Sequence, residues 1–290
     1  MNEGQIENFR RVWNHLKVPV RPGPEGLDVY RDHMKDMKEK NILVLGATPE
    51  LVDMALDLQF DQIVSIERNP DIMEAMRQLG TRDWRSVTMI PGNWLDERFE
   101  FKGAFDCVVC DGGLLFLDYP LSWTRLFLLV YGYLKPGGIF IAKEWAEPAG
   151  IRTYDSLIQD MIERFETENI EKTRDETMEA YRYLASELRL ATFIGTTKPD
   201  LSFDQEIMIK RLESLIEALH QKFPDPQMTE ITDAALKYLA RSRPDTTDTV
   251  AGARFEAAQK LLAAQGFRAL HFPLPDRPVA GANYMFVARK

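Results

Sequence analysis

Metal ligands, cross-linking residues and positive charge are all scarce in this sequence. Its 290 residues include two cysteines and four histidines. His15, His33, His220 and His271 show no ligand-like spacing. Cys107 and Cys110 stand in FDCVVCD, a run that reads as a strand. Side chains alternate along a strand, so positions three apart face opposite ways. The C-x-x-C spacing is therefore expected to be two buried core cysteines, and no metal site is expected. No apolar stretch approaches the roughly 20 residues of a membrane span. The N-terminal MNEGQIENFRRVWNHLK lacks the apolar centre of a secretory signal. A cytoplasmic location without a membrane partner is the expectation. Thirty-six basic residues face 45 acidic ones, a net charge of −9, which disfavours nucleic acid because phosphate neutralisation needs clustered positive charge. Arg10, Arg11, Lys17 and Arg21 form a local basic arm that reads first as solvated surface.

What is present is an alternation. Forty-five per cent hydrophobic residues is ordinary for a globular chain with a buried core. Strand-like runs at Ile42–Leu45, Gln62–Ile66, Val87–Ile90, Phe105–Cys110 and Gly138–Ala142 are separated by helical patterns at Pro49–Leu58, Asn69–Leu79 and Leu121–Leu134. Such alternation implies a parallel sheet covered on both faces. Two helices around the proline-marked connector VPVRPGPEG precede it, as an arm over residues 1–40. From about 147 to 247 only helical patterns occur. In the clearest, Ile209, Leu212, Leu215, Ile216 and Leu219 recur on one face, a stripe that must be buried against something. Residues 147–247 are thus expected to form a helical insertion or cap. A helix ending at Gly266 and two strands, RALHFPL and NYMFVARK, complete the sheet, so the α/β domain should comprise 41–146 and 248–290, with an antiparallel final strand.

The candidate chemistry sits where the strands end, the place at which an open α/β sheet puts its ligand crevice. Gly46 follows the first strand and Glu67 the second, where one carboxylate can accept from both hydroxyls of a ribose. Gly92-Asn93-Trp94 follows the third: Asn93 suits an adenine edge, and Trp94 offers a stacking face. Asp111-Gly112-Gly113 follows the fourth, and Glu144-Trp145 the fifth. Each feature alone is also what an ordinary strand–helix turn carries; their succession along one chain is the signal.

ILVLGATPE, IVSIERNPD, MIPGNWLD, FDCVVCDGG and YLKPGGIFIAKEW resemble the successive motifs of class I S-adenosylmethionine-dependent methyltransferases, with an LG-x-TPE form of the first loop. The resemblance implies a doubly wound, seven-stranded, mostly parallel Rossmann-like sheet with S-adenosylmethionine as cofactor. It implies further that Gly46, Ala47 and Thr48 line the methionine part. Glu67, with Arg68 beside it, would take the ribose, Asn93 and Trp94 the adenine, and Asp111 and Gly112 would lie beside the sulfonium and amino end. Four positions depart from the pattern: Val44 where an acid is usual, Thr48 and Glu50 in place of the later glycines, and Asn93 in place of an aspartate. The cofactor has no pyrophosphate, so one glycine for the tight turn can suffice, and either Glu50 or Asp111 could pair with its ammonium.

Methyl transfer to a small or medium-sized acceptor is the leading expectation. Asp111 is the first candidate for a base, ahead of Glu144, Tyr119 and Tyr30; Tyr30 or its helical neighbour His33 is also placed to touch substrate. Three other readings stay open: aminocarboxypropyl transfer or cyclisation with the same cofactor, an NAD-dependent oxidoreductase, and a non-catalytic cofactor-binding protein. The insertion suits a lid over the acceptor, a partner-binding face or a homodimer interface equally well.

Overall fold

A computed structural model describes residues 3–37, 40–96, 99–145, 154–196, 205–237, 255–274 and 283–290. The expected junctions at 146/147 and 247/248, and the connector between the last two strands, lie outside these residues.

Two helices come first, α1 (Glu3–His15) and α2 (Pro24–Met34). The sheet domain follows as β1 (Asn41–Leu45), α3 (Pro49–Asp57), β2 (Gln62–Glu67), α4 (Pro70–Leu79), β3 (Val87–Pro91), β4 (Phe105–Asp111), α5 (Leu121–Tyr133) and β5 (Leu134–Trp145). The helical region contains α6 (Tyr154–Glu168), α7 (Arg174–Thr196), α8 (Gln205–Lys222) and α9 (Pro226–Thr232), the last running into a π-helical turn, Asp233–Lys237. The chain returns to the sheet through α10 (Phe255–Ala264), β6 (Arg268–Pro273) and β7 (Asn283–Arg289).

The seven strands lie in the order β3-β2-β1-β4-β5-β7-β6. β7 runs antiparallel to both of its neighbours, and every other pair is parallel. This is a doubly wound, seven-stranded Rossmann-like sheet, mostly parallel with the expected antiparallel last strand. The parallel strands are near-continuous apolar runs because helices cover both faces. On one face Ile42, Val44, Cys107, Val109, Ile141 and Met285 pack with Tyr30, Leu51 and Val52 of α2 and α3. On the other, Leu43, Leu45, Val108, Cys110, Phe140 and Phe286 pack with Trp123, Phe127 and Leu262 of α5 and α10. Cys107 and Cys110 therefore serve opposite layers, and both thiols are free and buried. Each fully buried side chain of this size contributes about 1.5–3 kcal/mol.

One boundary differs from the sequence reading. β5 begins at Leu134, which pairs with Phe105, and the next partners are Cys107 and Ile139. Lys135–Gly138 is thus a bulge inside the strand, with Gly137 at φ 80°, and not a turn ahead of it.

The insertion helices have a core of their own, in which Met161, Phe165, Tyr181, Leu188, Leu212, Leu219 and Ile231 meet. Leu212, Leu215, Ile216 and Leu219 of α8 are buried as their spacing predicts. Val12 and Leu16 at the end of α1 join the same cluster, as do Leu115 and Trp145 from the sheet domain. α1 and the insertion together form a roof above the carboxyl ends of β4 and β5. Among the described residues no helix is long and apolar enough to cross a membrane.

Candidate active site

The parallel register sets the site. Leu45 pairs with Ile66 and with Cys110, Glu67 with Pro91, and Asp111 with Lys143. Gly46, Glu67, Gly92, Asp111 and Trp145 consequently emerge along one edge of the sheet.

Gly46 adopts φ 99°, a left-handed conformation that glycine takes without the Cβ clash of other residues. Its N–H donates to the Ile66 carbonyl at 2.8 Å and its carbonyl accepts from Ser65 Oγ at 2.8 Å. The loop then turns into α3 at Pro49, with Thr48 in extended conformation before it. Ala47 is buried against Phe9 of α1 and Met73 of α4. Glu67, at the end of β2, accepts from the Asn69 N–H at 2.9 Å. Burial raises its pKa, against backbone hydrogen bonds from Asn69 and Arg68. Arg68 itself is exposed.

Trp94 does not stand free above the crevice. Its indole N–H donates to the Ile66 carbonyl at 2.8 Å, and its ring closes over Gly46 and Gly113. It ties the ends of β1, β2 and β4 together. Exposed Asn93 uses its Oδ1 to accept from the Leu95 N–H at 3.0 Å, forming a turn. A Cβ on Gly113 would lie 2.5 Å from the Trp94 ring and 2.7 Å from Cys110 Sγ, while its φ of −81° suits any residue. Gly113→Ala is thus a purely steric test. It should cost about 1–3 kcal/mol, as overpacking does, read as a lowered midpoint in urea with unchanged slope.

The densest chemistry lies at the end of β4. Asp111 Oδ2 accepts from Lys143 Nζ at 3.0 Å, and Lys143 also donates to the Pro19 carbonyl at 3.1 Å. Both side chains are only 3% exposed. Asp111 Oδ1 is buried without a hydrogen-bond partner. Burial pushes the Asp111 pKa up; Lys143 opposes the shift, Glu50 adds to it, and the Tyr30 hydroxyl, which donates to the Cys110 carbonyl, lies close enough to oppose it as well. Glu50, at the start of α3, is paired through Oε1 with the Arg21 guanidinium, which also donates to the Trp13 carbonyl at 3.1 Å and lies over the Trp13 ring. Its Oε2 is likewise buried without a partner. Two neighbouring carboxylates thus each have one oxygen held by a cation from the arm or the sheet and one left over.

The other candidates are built in. Tyr30 is fully buried and donates to the Cys110 carbonyl at 2.7 Å; burial, and then the nearby Asp111, hold its hydroxyl pKa well above the usual range. Glu144 accepts from the Leu114 N–H at 2.9 Å, and burial raises its pKa well above that of an ordinary carboxyl. His33 packs edge-on against Phe272, and Tyr119 against Trp123. Among the described residues no group of three or more histidine, cysteine or acidic side chains could hold a metal ion.

Gly112 (φ 65°), Thr48 and Asp111 border a cavity of about 170 Å³. α1 and α7 roof it through Val12, Trp13 and Leu190, and Leu115, Phe116 and Trp145 wall it. Lys143, Trp13 and Leu190 escape a reading of the sequence. The one available signal was a lysine inside the buried run GIFIAKEW, where an unpaired charge is not tolerated.

No family model matches the chain, and no curated protein matches it in sequence. Solved structures do. A crystal structure described as a putative zinc-dependent alcohol dehydrogenase from Rhodobacter sphaeroides is 17% identical, with all of both chains covered and a TM-score of 0.56. S-adenosylmethionine-dependent methyltransferases from Methanosarcina mazei and Mesorhizobium loti also match. They are 13% and 14% identical, with TM-scores of 0.48 for both. The first covers 88% of this chain and 94% of its own, the second 91% and 100%. At such identities a likeness establishes the shape of the chain, a seven-stranded Rossmann-like sheet, and leaves its chemistry to be read from the site.

Proposed function

We propose that the chain binds S-adenosylmethionine across the carboxyl ends of β1, β2 and β4 and methylates a small or medium-sized acceptor. The observation that carries this reading is the pair of buried, unpartnered carboxylate oxygens, Glu50 Oε2 and Asp111 Oδ1, beside the Gly46 turn. A buried polar atom without a partner costs about 1–3 kcal/mol, so such atoms mark where a ligand's hydrogen-bond donors belong. Glu50 Oε2 suits the ammonium of a bound amino acid group, replacing the acid missing at Val44. Thr48 can hold the matching carboxylate, and Glu67, with Arg68 beside it, the ribose hydroxyls. Asn93 is the residue for the adenine edge, while Trp94 shapes the floor beneath.

When bound, the cofactor supplies a methyl carbon activated by a sulfonium leaving group. The protein's task is then to align an acceptor and exclude water. Asp111 Oδ1 is the group placed to take the acceptor's proton. Its burial raises its proton affinity and the Lys143 contact opposes the rise; a raised proton affinity is what a carboxylate base needs. Tyr30 is committed to a backbone partner, and Glu144 is committed through Oε1, while its Oε2 is buried without a partner. α1 and the insertion act as the lid.

Calorimetric titration with S-adenosylmethionine and S-adenosylhomocysteine tests the reading. Micromolar binding is expected, about −8 kcal/mol, weakened about tenfold in Glu50→Gln, which keeps the shape but loses the charge. Product analysis then separates the two transfers: S-adenosylhomocysteine accompanies methylation, whereas methylthioadenosine would mean transfer of the aminocarboxypropyl arm. Binding of NADH with no binding of either S-adenosyl compound would overturn the proposal.

A further inference from the structure

We propose that the cavity beneath α1 and α7 is the acceptor's place and takes a neutral one-ring phenol. The acceptor role rests on the function proposed above; the ligand class rests on the cavity itself.

Size comes first. A dry cavity of about 150 Å³ lined by aliphatic and aromatic side chains holds one benzene ring, and this one measures about 170 Å³. Its walls are of that kind: Val12, Leu115, Leu190 and the rings of Trp13, Phe116 and Trp145. A nucleobase–sugar unit does not fit wholly within such a volume. Phe116, 52% exposed, stands at the rim, an exposed ring where an apolar ligand would enter.

Polarity comes second. Three residues bordering the cavity carry a buried polar atom with no hydrogen-bond partner: the indole Nε1 of Trp13, the indole Nε1 of Trp145, and Asp111 Oδ1. Two are donors and one is an acceptor. A plain hydrocarbon would leave all three unsatisfied, a cost paid in no other way here. A phenolic hydroxyl matches both kinds, its proton directed to Asp111 and its lone pairs open to an indole N–H. Charge decides against the alternatives. A carboxylate would face Asp111, and a free ammonium would be desolvated among apolar walls with the Lys143 ammonium 3.0 Å from the same carboxylate. Arg189, also on the wall, is engaged with the Ala235 carbonyl at 3.1 Å. A neutral hydroxyl on a single ring is the chemistry left.

The test is a titration of the full chain with phenol, toluene and benzoate, followed by saturation-transfer NMR and calorimetry, without and with S-adenosylmethionine. Saturable phenol binding on the order of 1 mM, as expected of a ligand of seven heavy atoms, should be at least about fivefold tighter than that of either control. Leu190→Trp, which fills the cavity from α7, should abolish it, and Val12→Phe does the same from α1 should the first variant fail to fold. Equal binding of toluene, tighter binding of benzoate, or phenol binding that survives both variants would overturn the assignment. S-adenosylmethionine binding with no phenol binding would sink this inference alone. Phenol binding with no S-adenosylmethionine binding would keep the cavity's ligand class and remove its role as acceptor site.

Discussion

Lys143→Ala should lower stability at neutral pH by about 3–5 kcal/mol, the usual consequence of removing one member of a buried ion pair. In a chain of this size that is a fall in melting temperature on the order of 10 °C. The cause is less the lost attraction than the charge left behind. Asp111 is 3% exposed, and Lys143 is the cation that neutralises it. The pH dependence makes the claim specific. Burial already holds the Asp111 pKa above its ordinary value, and without Lys143 it must rise further. Over the interval between the unfolded and folded pKa values, the folded state binds the proton and the unfolded state does not. Stability therefore falls as pH rises through that interval and recovers as pH is lowered. Urea titrations of the variant at pH 5 and pH 7 should show the smaller deficit at pH 5. Lys143→Ala combined with Asp111→Asn should recover part of the loss, a coupling that a double-mutant cycle reads directly. A deficit under about 0.5 kcal/mol, equal at both pH values, would show that the two groups are solvated.

Glu67→Ala should weaken S-adenosylmethionine binding roughly 10- to 100-fold while leaving the fold intact. Hydrogen bonds to a charged group contribute about 1.5–3 kcal/mol each, and a ribose offers two hydroxyls to one carboxylate. The structural loss is small, because the backbone N–H that Glu67 accepts from, on Asn69, is exposed and can turn to water. The carboxylate form is the one that accepts, and burial raises its pKa. Wild-type affinity should accordingly drop as pH is lowered through that raised value, and the alanine variant should lose this dependence. Calorimetry across pH checks both. Unchanged affinity in the variant would take the ribose away from the end of β2.

The sheet was readable because each parallel strand is a short apolar run between turn residues, and because Pro49 and Pro70 mark the helix starts after β1 and β2. Burial on both faces explains why FDCVVCD needed no polar alternation. The KPGG bulge was misread as a turn: composition cannot distinguish a glycine pair that ends a hairpin from one that interrupts a ladder. At the site, strand ends were found from order along the chain, which fixes Gly46, Glu67 and Asp111 on one edge. What stayed hidden depends on contacts between residues far apart in sequence. Pro19 reaches Lys143 across 124 positions, and Trp13 and Leu190 meet over one cavity from opposite ends of the roof. Trp94 shows the converse. Its type suggested a stacking platform, and what its type could not show is that its N–H donates to the Ile66 carbonyl and its ring lies on two glycines.

The shared core of α1 and the insertion has a consequence for how the chain is made. Val12 and Leu16 find their partners in helices that begin at Tyr154 and end beyond Ile231. At ~5–20 residues per second of synthesis, α1 waits roughly 7–30 s for the first of them to be translated. During that interval Phe9 can already pack on α4, but the side of α1 that carries Val12 and Leu16 lacks its insertion partners, although β1 to β5 can already pair. The five parallel strands are thus the part of this protein able to form first during synthesis; the roof helices follow, and β6 and β7 complete the sheet last. An intermediate with β1 to β5 paired and an open site should precede the native state, visible as early protection of β1 and β4 amides and late protection of those in α1 and α7.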